Sequence, residues 1–97
     1  MAKSVGAFTR DASGRYCFER SDVSDDEYPA LVARIVDQFD LRPDSGLTVG
    51  PDQLFANYSR GPLVIGLDWD VWSGFIVTAH SPDSEPLVQA IGSFLSE

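Results

Sequence analysis

The sequence predicts an α+β domain in which an antiparallel sheet, built from an N-terminal hairpin and a three-stranded meander, carries two helices on one face. Three observations lead to this fold class. Apolar and polar residues alternate through the extended segments, two other segments carry apolar stripes at helical spacing, and 97 residues allow only one hydrophobic core. We therefore interpret residues 1–97 as a single domain.

The N-terminal half supplies a hairpin and the first helix. Residues 5–10 and 15–20 are extended segments that flank Asp11-Ala-Ser-Gly14, a run of turn-forming residues. Ser24-Asp-Asp-Glu27 fits a capping box, so we expect a helix to start at Ser24 and the loop of residues 42–46 to follow it. The apolar stripe of this helix consists of Tyr28, Leu31, Val32, Ile35 and Phe39.

The C-terminal half supplies the meander and the second helix. Residues 52–60 alternate as in a strand, although Leu54, Phe55 and Tyr58 would also share one face of a helix; we favour the strand. Residues 63–80 form the following hairpin. After residues 81–84, with Ser84 as the expected N-cap, a helix begins whose apolar face consists of Leu87, Val88, Ile91, Phe94 and Leu95.

The hairpin of residues 63–80 separates an apolar face from a polar one. A three-residue loop, Trp72-Ser73-Gly74, keeps Asp68 and Asp70 away from the core, whereas a two-residue Ser73-Gly74 turn would bury both carboxylates. This loop predicts the apolar pairs Val71–Phe75, Trp69–Val77 and Leu67–Ala79. On the opposite face it predicts the pairs Asp70–Ile76, Asp68–Thr78 and Gly66–His80.

The polar side of this hairpin is where we expect a binding surface. Trp72 at the tip either folds back onto the protein or anchors a partner, because exposed tryptophan is enriched at interface hot spots. Gly66, in the middle of a strand, indicates a bulge or the close approach of another backbone. The candidate partner-binding residues are Asp68, Asp70, Trp72, Ile76, Thr78 and His80.

Charge narrows the class of partner. The chain has 15 acidic and 7 basic residues, a formal charge of −8, and it carries no lysine or arginine from Gly61 onward. A nucleic-acid-binding protein needs a basic surface, and an anionic membrane repels an acidic one, so we predict neither as a partner. A basic protein would be attracted instead, although the charge could equally serve only solubility.

The residues also bear on catalysis, metals and location. Asp68, Asp70 and His80 could share a cation, but two carboxylates and one imidazole do not complete a metal site. Asp68 and His80 could act as an acid–base pair, but no nucleophile motif accompanies them. We therefore predict no catalytic residue, no metal and no cofactor. Cys17 is the only cysteine, and the first residues do not resemble a signal segment, so we expect a cytoplasmic protein without an internal disulfide.

The C-terminal third carries a resemblance to a known class. The order of Gly66-Leu-Asp-Trp-Asp-Val-Trp-Ser-Gly-Phe-Ile-Val-Thr-Ala, a short proline-containing link and a closing helix over residues 87–95 resembles the end of small bacterial immunity-type proteins. These proteins are encoded beside polymorphic or secreted toxins. The resemblance implies a small, acidic, non-catalytic and cytosolic protein that plugs the active site of a toxin.

The sequence therefore leads to a ranked set of functions. We expect first a non-catalytic immunity or inhibitor protein that binds a basic toxin or enzyme. A self-associating homodimer and an acidic chaperone for a secreted protein are the alternatives, and a small enzyme that uses Asp68 and His80 is the least favoured.

Overall fold

The sheet is antiparallel throughout, and both helices lie on one of its faces. The computed structural model describes residues 6–96; residues 1–5 and 97 lie outside the described part. The strands are β1 (Gly6–Arg10), β2 (Tyr16–Arg20), β3 (Arg42–Pro43), β4 (Thr48–Val49), β5 (Gln53–Phe55), β6 (Asn57–Arg60), β7 (Leu63–Asp70) and β8 (Gly74–Ala79). The helices are α1 (Tyr28–Phe39) and α2 (Glu85–Leu95), and a 3₁₀ turn over Pro82–Ser84 precedes α2.

The strand order follows from short connections. β1, β2, β8 and β7 are neighbours in that order, and the free side of β7 pairs with β5 at one end and β6 at the other. β4 lies outside β5, and β3 lies outside β6. The predicted α+β class is confirmed, as is the N-terminal hairpin, of which Val5 lies outside the described residues. The two-residue strands β3 and β4 were not predicted, because segments so short carry no periodicity.

The core lies between the helices and one face of the sheet. Tyr28, Leu31, Val32 and Ile35 of α1 are buried, as the apolar stripe predicts, and Phe39 packs at the edge of the core. The sheet and α2 contribute the remaining large core side chains, among them Phe18, Ile65, Leu67, Phe75, Val77, Leu87, Val88 and Ile91. The face that the helices leave uncovered is the one on which Asp68 lies.

Both helix starts differ in detail from the prediction. Helix α1 begins at Tyr28 and not at Ser24, because Pro29 has no amide to donate and residues 24–28 form turns instead. The carboxylate of Glu27 still accepts the Ser24 amide at 2.9 Å, which is one half of the capping box. Ser84 precedes α2 as expected, but its buried hydroxyl lies 3.4 Å from the Ser81 hydroxyl and caps no amide.

Residues 53–60 form a strand, which agrees with the interpretation that we favoured. Leu54 lies opposite Trp69 and Asn57 lies opposite Gly66, so β5 and β6 follow β7 in one uninterrupted register. The assigned strand breaks only at Ala56. The Ala56 amide donates to the Asp68 side chain instead of a backbone carbonyl of β7.

The register of the β7–β8 hairpin is shifted by two residues from the prediction. The loop is Val71-Trp72-Ser73, and the strand ends at Asp70, whose carboxylate accepts the Trp72 amide at 2.9 Å. This turn, which begins at an aspartate side chain, ends β7 one residue early. The predicted pairs are therefore wrong; the observed pairs are Asp70–Gly74, Trp69–Phe75, Asp68–Ile76, Leu67–Val77, Gly66–Thr78 and Ile65–Ala79. A shift of two residues preserves the faces, so the division into apolar and polar sides is as predicted.

Candidate functional site

The uncovered side of the sheet, which we call the open face, is the candidate site. It consists of the side chains that alternate with the core residues, and the pairing arranges them in rows across the strands. One row contains Glu19, Ile76 and Asp68, and the next contains Cys17, Thr78, Gly66 and Asn57. A third contains His80, Val64 and Ser59.

Asp68 replaces a backbone group in the sheet. Its Oδ1 atom accepts the Ala56 amide at 3.2 Å, and Ala56 in turn accepts the Leu67 amide at 2.9 Å. The Leu67 carbonyl, which would normally accept that Ala56 amide, is occupied from the core side by the buried hydroxyl of Tyr28. All of these polar groups are thereby satisfied, but the arrangement holds a carboxylate inside a strand pair.

This position makes Asp68 an unusual acid. Burial raises its pKa to about 6, the hydrogen bond from Ala56 opposes the rise, and the neighbouring charge of Asp70 adds to it. Burial acts in this direction because it disfavours the charged form of a carboxyl group. Asp68 is therefore mostly ionised at pH 7.5. Its charged form lowers the free energy of unfolding, because burial disfavours the charge.

Gly66 leaves a recess in the open face beside this carboxylate. A Cβ atom at Gly66 would lie 3.0 Å from Asp68 Oδ2 and 3.4 Å from His80 Nε2. Both side chains therefore lie close to the position that a side chain at Gly66 would occupy. Thr78 and Asn57 lie opposite Gly66 on the two neighbouring strands. β7 runs without a bulge through Gly66, and side chains, not another backbone, approach it, so both predicted explanations of this glycine are wrong.

His80 reaches the recess from a register position that differs from the predicted one. Its amide donates to the Val64 carbonyl at 3.2 Å, so His80 is opposite Val64 and diagonal to Gly66. Burial lowers the pKa of His80, and the nearby charge of Arg15 lowers it further, against a weaker opposite effect of Asp44. Both effects favour the neutral form of the imidazole.

Thr78 and Cys17 form the floor of the open face. Thr78 is 9% exposed, and its hydroxyl lies 3.7 Å from the Cys17 thiol, which is itself 2% exposed. Burial raises the pKa of the Cys17 thiol, so the protonated form is favoured. Cys17 is consequently a donor within the sheet and not a reactive thiolate.

The hairpin tip presents apolar side chains at one end of the open face. Trp72 is 77% exposed and Val71 is 51% exposed, so Trp72 does not fold back onto the protein. The loop is nevertheless held in place. The Asp70 carboxylate accepts hydrogen bonds from the amides of Trp72 and Ser73, and the Val71 amide donates to the backbone carbonyl of Asp52 at 3.1 Å. The tip is thus an exposed aromatic group on an ordered backbone.

The structure brings the six predicted residues onto one surface in two groups. Asp68, Thr78 and His80 gather at the Gly66 recess, while Asp70 and Trp72 form the tip, with Ile76 between Asp68 and Glu19. Asn57 belongs to the first group and was missed. The alternation of residues 52–60 puts Asn57 on the polar side, but only the register shows that it is opposite Gly66.

The open face has neither a cluster of metal ligands nor a cavity that Asp68 and His80 share, within the residues that the structure describes. Within residues 6–96, no three histidine, cysteine or acidic side chains lie close enough together to hold a metal ion. A cleft of about 200 Å³ lies beside His80, but loop residues such as Arg15 and Ser81 line it and Asp68 does not. Asp68 and His80 therefore face each other across the Gly66 recess and not within a shared cavity.

Comparisons with protein families, curated proteins and solved structures found no match to this chain. In the part of the chain that the structure describes, no helix is long and apolar enough to cross a membrane; α1, with 12 residues, is the longest.

Proposed function

We propose that this protein is a non-catalytic binding module that captures a basic protein on the open face, and that it acts as an immunity-type inhibitor of a toxin or enzyme. The observation that carries the proposal is the exposed Trp72 at the end of an uncovered sheet face. A monomeric protein gains nothing from exposing a tryptophan to water, whereas a tryptophan buried by a partner is among the strongest interface anchors.

The ordered loop supports this interpretation. Three hydrogen bonds from amides of the loop, two to the Asp70 carboxylate and one to Asp52, hold the backbone that carries Trp72. A group that is already ordered loses little conformational entropy when it binds, so more of its contact energy appears as affinity. Trp72 is therefore presented in the way that a binding anchor requires.

The charge of the protein favours a basic partner. Asp68, Asp70 and Glu19 lie on or at the end of the open face, and the chain as a whole carries a formal charge of −8. A field of this sign speeds the encounter with a cationic protein, and contacts at the tip slow dissociation. The resemblance of residues 66–95 to immunity-type proteins agrees with such a partner and with a cytoplasmic location, for which the free thiol of Cys17 is also suited.

Affinity capture from the native host tests the proposal. Immobilised protein should retain a basic protein whose toxic or enzymatic activity is inhibited when the two are mixed. Trp72→Ala and Asp70→Asn should each weaken that retention at least about tenfold. Asparagine at position 70 can still accept the two loop amides, so Asp70→Asn removes charge without removing the turn.

Two matched variants control for nonspecific effects. Leu47→Ala removes an apolar side chain that is 55% exposed away from the hairpin tip, and Asp37→Asn removes an exposed charge from α1. Both should bind as the wild type does. Equal retention by Trp72→Ala and the wild type would refute the proposal, as would light scattering that shows a dimer disrupted by Trp72→Ala, since the partner would then be a second copy.

A captured segment that binds only when unfolded would indicate the chaperone alternative instead. Folded and denatured forms of the same partner, compared at equal concentration, separate these cases. Preference for the folded form is the result that we expect, because a preformed, flat face suits a folded surface.

A further inference from the structure

The Gly66 recess is a small polar site in the middle of the open face. Four polar side chains surround it: Asp68, His80, Thr78 and Asn57. The carboxylate oxygen that lies nearest to the position of a Gly66 side chain accepts hydrogen bonds, and a ring nitrogen of His80 lies beside it. We propose that this recess receives one arginine side chain of the basic partner, an inference that rests on the proposed function.

Asp68 has one carboxylate oxygen that can accept a further hydrogen bond. Oδ1 accepts the Ala56 amide, whereas Oδ2 faces the recess and takes no part in the hydrogen bonds of the described residues. Solvent reaches this atom, since no buried and unpartnered side-chain oxygen or nitrogen occurs within residues 6–96. A guanidinium group in the recess would convert Oδ2 into the acceptor of a charge-assisted hydrogen bond.

The polar neighbours of that oxygen also favour an arginine side chain. His80 Nε2 lies 3.4 Å, and Asp68 Oδ2 3.0 Å, from the position of the missing Cβ, so a single planar group above Gly66 can reach both atoms. Thr78, which is 9% exposed, and Asn57 lie opposite Gly66 on the two neighbouring strands. Arginine has five donors in a fixed plane, which matches several acceptors better than the compact ammonium of lysine does.

The lack of a side chain at position 66, and not a special backbone conformation, accounts for the glycine. The φ angle of Gly66 lies outside the left-handed region, and the strand is regular there, so the backbone does not require glycine. An alanine methyl group would lie 3.0 Å from Asp68 Oδ2 and 3.4 Å from His80 Nε2, so both side chains would have to shift. Glycine at this position lets the Asp68 carboxylate and the His80 ring lie against the strand, side by side, where a cationic side chain can contact both.

A titration with a small arginine probe tests the inference without the partner. N-acetyl-arginine amide is added to ¹⁵N-labelled full-length protein, and N-acetyl-citrulline amide, the uncharged analogue of nearly equal shape, is the matched ligand. We expect saturable shifts at the amides of Gly66, Asp68 and Thr78 with a millimolar dissociation constant. Citrulline should bind at least about tenfold more weakly, because it lacks the charge that Asp68 recognises.

Variants then assign the site. Gly66→Ala and Asp68→Asn should each weaken the arginine response at least about tenfold, whereas Gly46→Ala, which adds a methyl group in open space, should leave it unchanged. Circular dichroism checks that each variant is folded. If Gly66→Ala does not fold, Asp68→Asn decides alone, since asparagine can still accept the Ala56 amide.

Several results would overturn the inference. These are shifts that do not saturate, equal responses to arginine and citrulline, shifts confined to exposed acids such as Asp25 and Asp26, and an unchanged response in Gly66→Ala. The titration and the affinity capture fail independently. Arginine binding without a Trp72-dependent partner refutes only the proposed function, and a Trp72-dependent partner without an arginine response refutes only the recess.

Discussion

Replacing Asp68 with asparagine should make the protein more stable at neutral pH. The side chain keeps its shape, and its oxygen can still accept the Ala56 amide, but the charge that burial disfavours is gone. Most substitutions at a hydrogen-bonded position in a sheet destabilise, so an increase would be diagnostic. The size of the effect follows from the pKa of Asp68.

The pKa of Asp68 rises from 3.8 to about 6 on folding. Between these values the folded state binds more protons than the unfolded state, so stability falls as pH rises through this window. This rise in the pKa corresponds to a loss of about 3 kcal/mol in the free energy of unfolding at pH 7.5 and of about 1 kcal/mol at pH 4.5. Because Asp68 is only partly buried, these figures are upper limits for the gain in Asp68→Asn.

Urea unfolding of both proteins at pH 7.5 and pH 4.5 measures the effect. Other carboxylates titrate in both proteins alike, so the difference between the two free energies of unfolding isolates Asp68. Asp37→Asn on the surface of α1 is the control and should change stability by less than about 0.5 kcal/mol at either pH. An Asp68→Asn variant that is less stable at pH 7.5, or whose advantage does not shrink at pH 4.5, would refute the reasoning.

Three further predictions concern single contacts. Gly74→Ala, at φ +74° with its Cβ position 2.3 Å from the Arg20 carbonyl oxygen, should lower the free energy of unfolding by more than about 2 kcal/mol, whereas Gly14→Ala, at φ +82° in open space, should lower it by about 1 kcal/mol. Tyr28→Phe leaves the Leu67 carbonyl without its hydroxyl donor and should cost about 1–2 kcal/mol in the same urea assay. Acrylamide should quench the fluorescence of Trp72 readily, and loss of that quenching in Trp72→Phe identifies it; equal quenching of the variant and the wild type would contradict its exposure.

The alternation of apolar residues was sufficient to predict the faces of the sheet. Ile65, Leu67, Phe75 and Val77 are fully buried, and the residues that alternate with them, Gly66, Asp68, Ile76 and Thr78, lie on the open face, because the period of two survives any even shift of register. The same reasoning could not find the register itself. The strand ends where the Asp70 carboxylate accepts hydrogen bonds from two loop amides. This local interaction leaves no trace in the pattern of apolar residues.

The recess was only half predictable from sequence. The sequence indicates Asp68 and His80 because they are titratable groups on the polar side of the hairpin, but it predicts a backbone role for Gly66 and gives no signal for Asn57. Which side chains surround a glycine depends on pairing with strands far away in sequence, here β6 and β8. A shift of two residues in the hairpin changes the partner of Gly66 from His80 to Thr78 and so changes the composition of the site.

The two roles of Asp68 make opposite demands on the residue. As the acceptor of the Ala56 amide, an asparagine would serve with a smaller burial penalty, so the strand pairing gives no reason for a negative charge. As a contact for a cation above Gly66, only the carboxylate serves. An Asp68→Asn variant that gains stability at pH 7.5 and loses the arginine response would therefore separate the two roles in one protein. If Asp68→Asn gains stability and its response to arginine is undiminished, the cation binds elsewhere, and the Asp68 charge is not a contact for it.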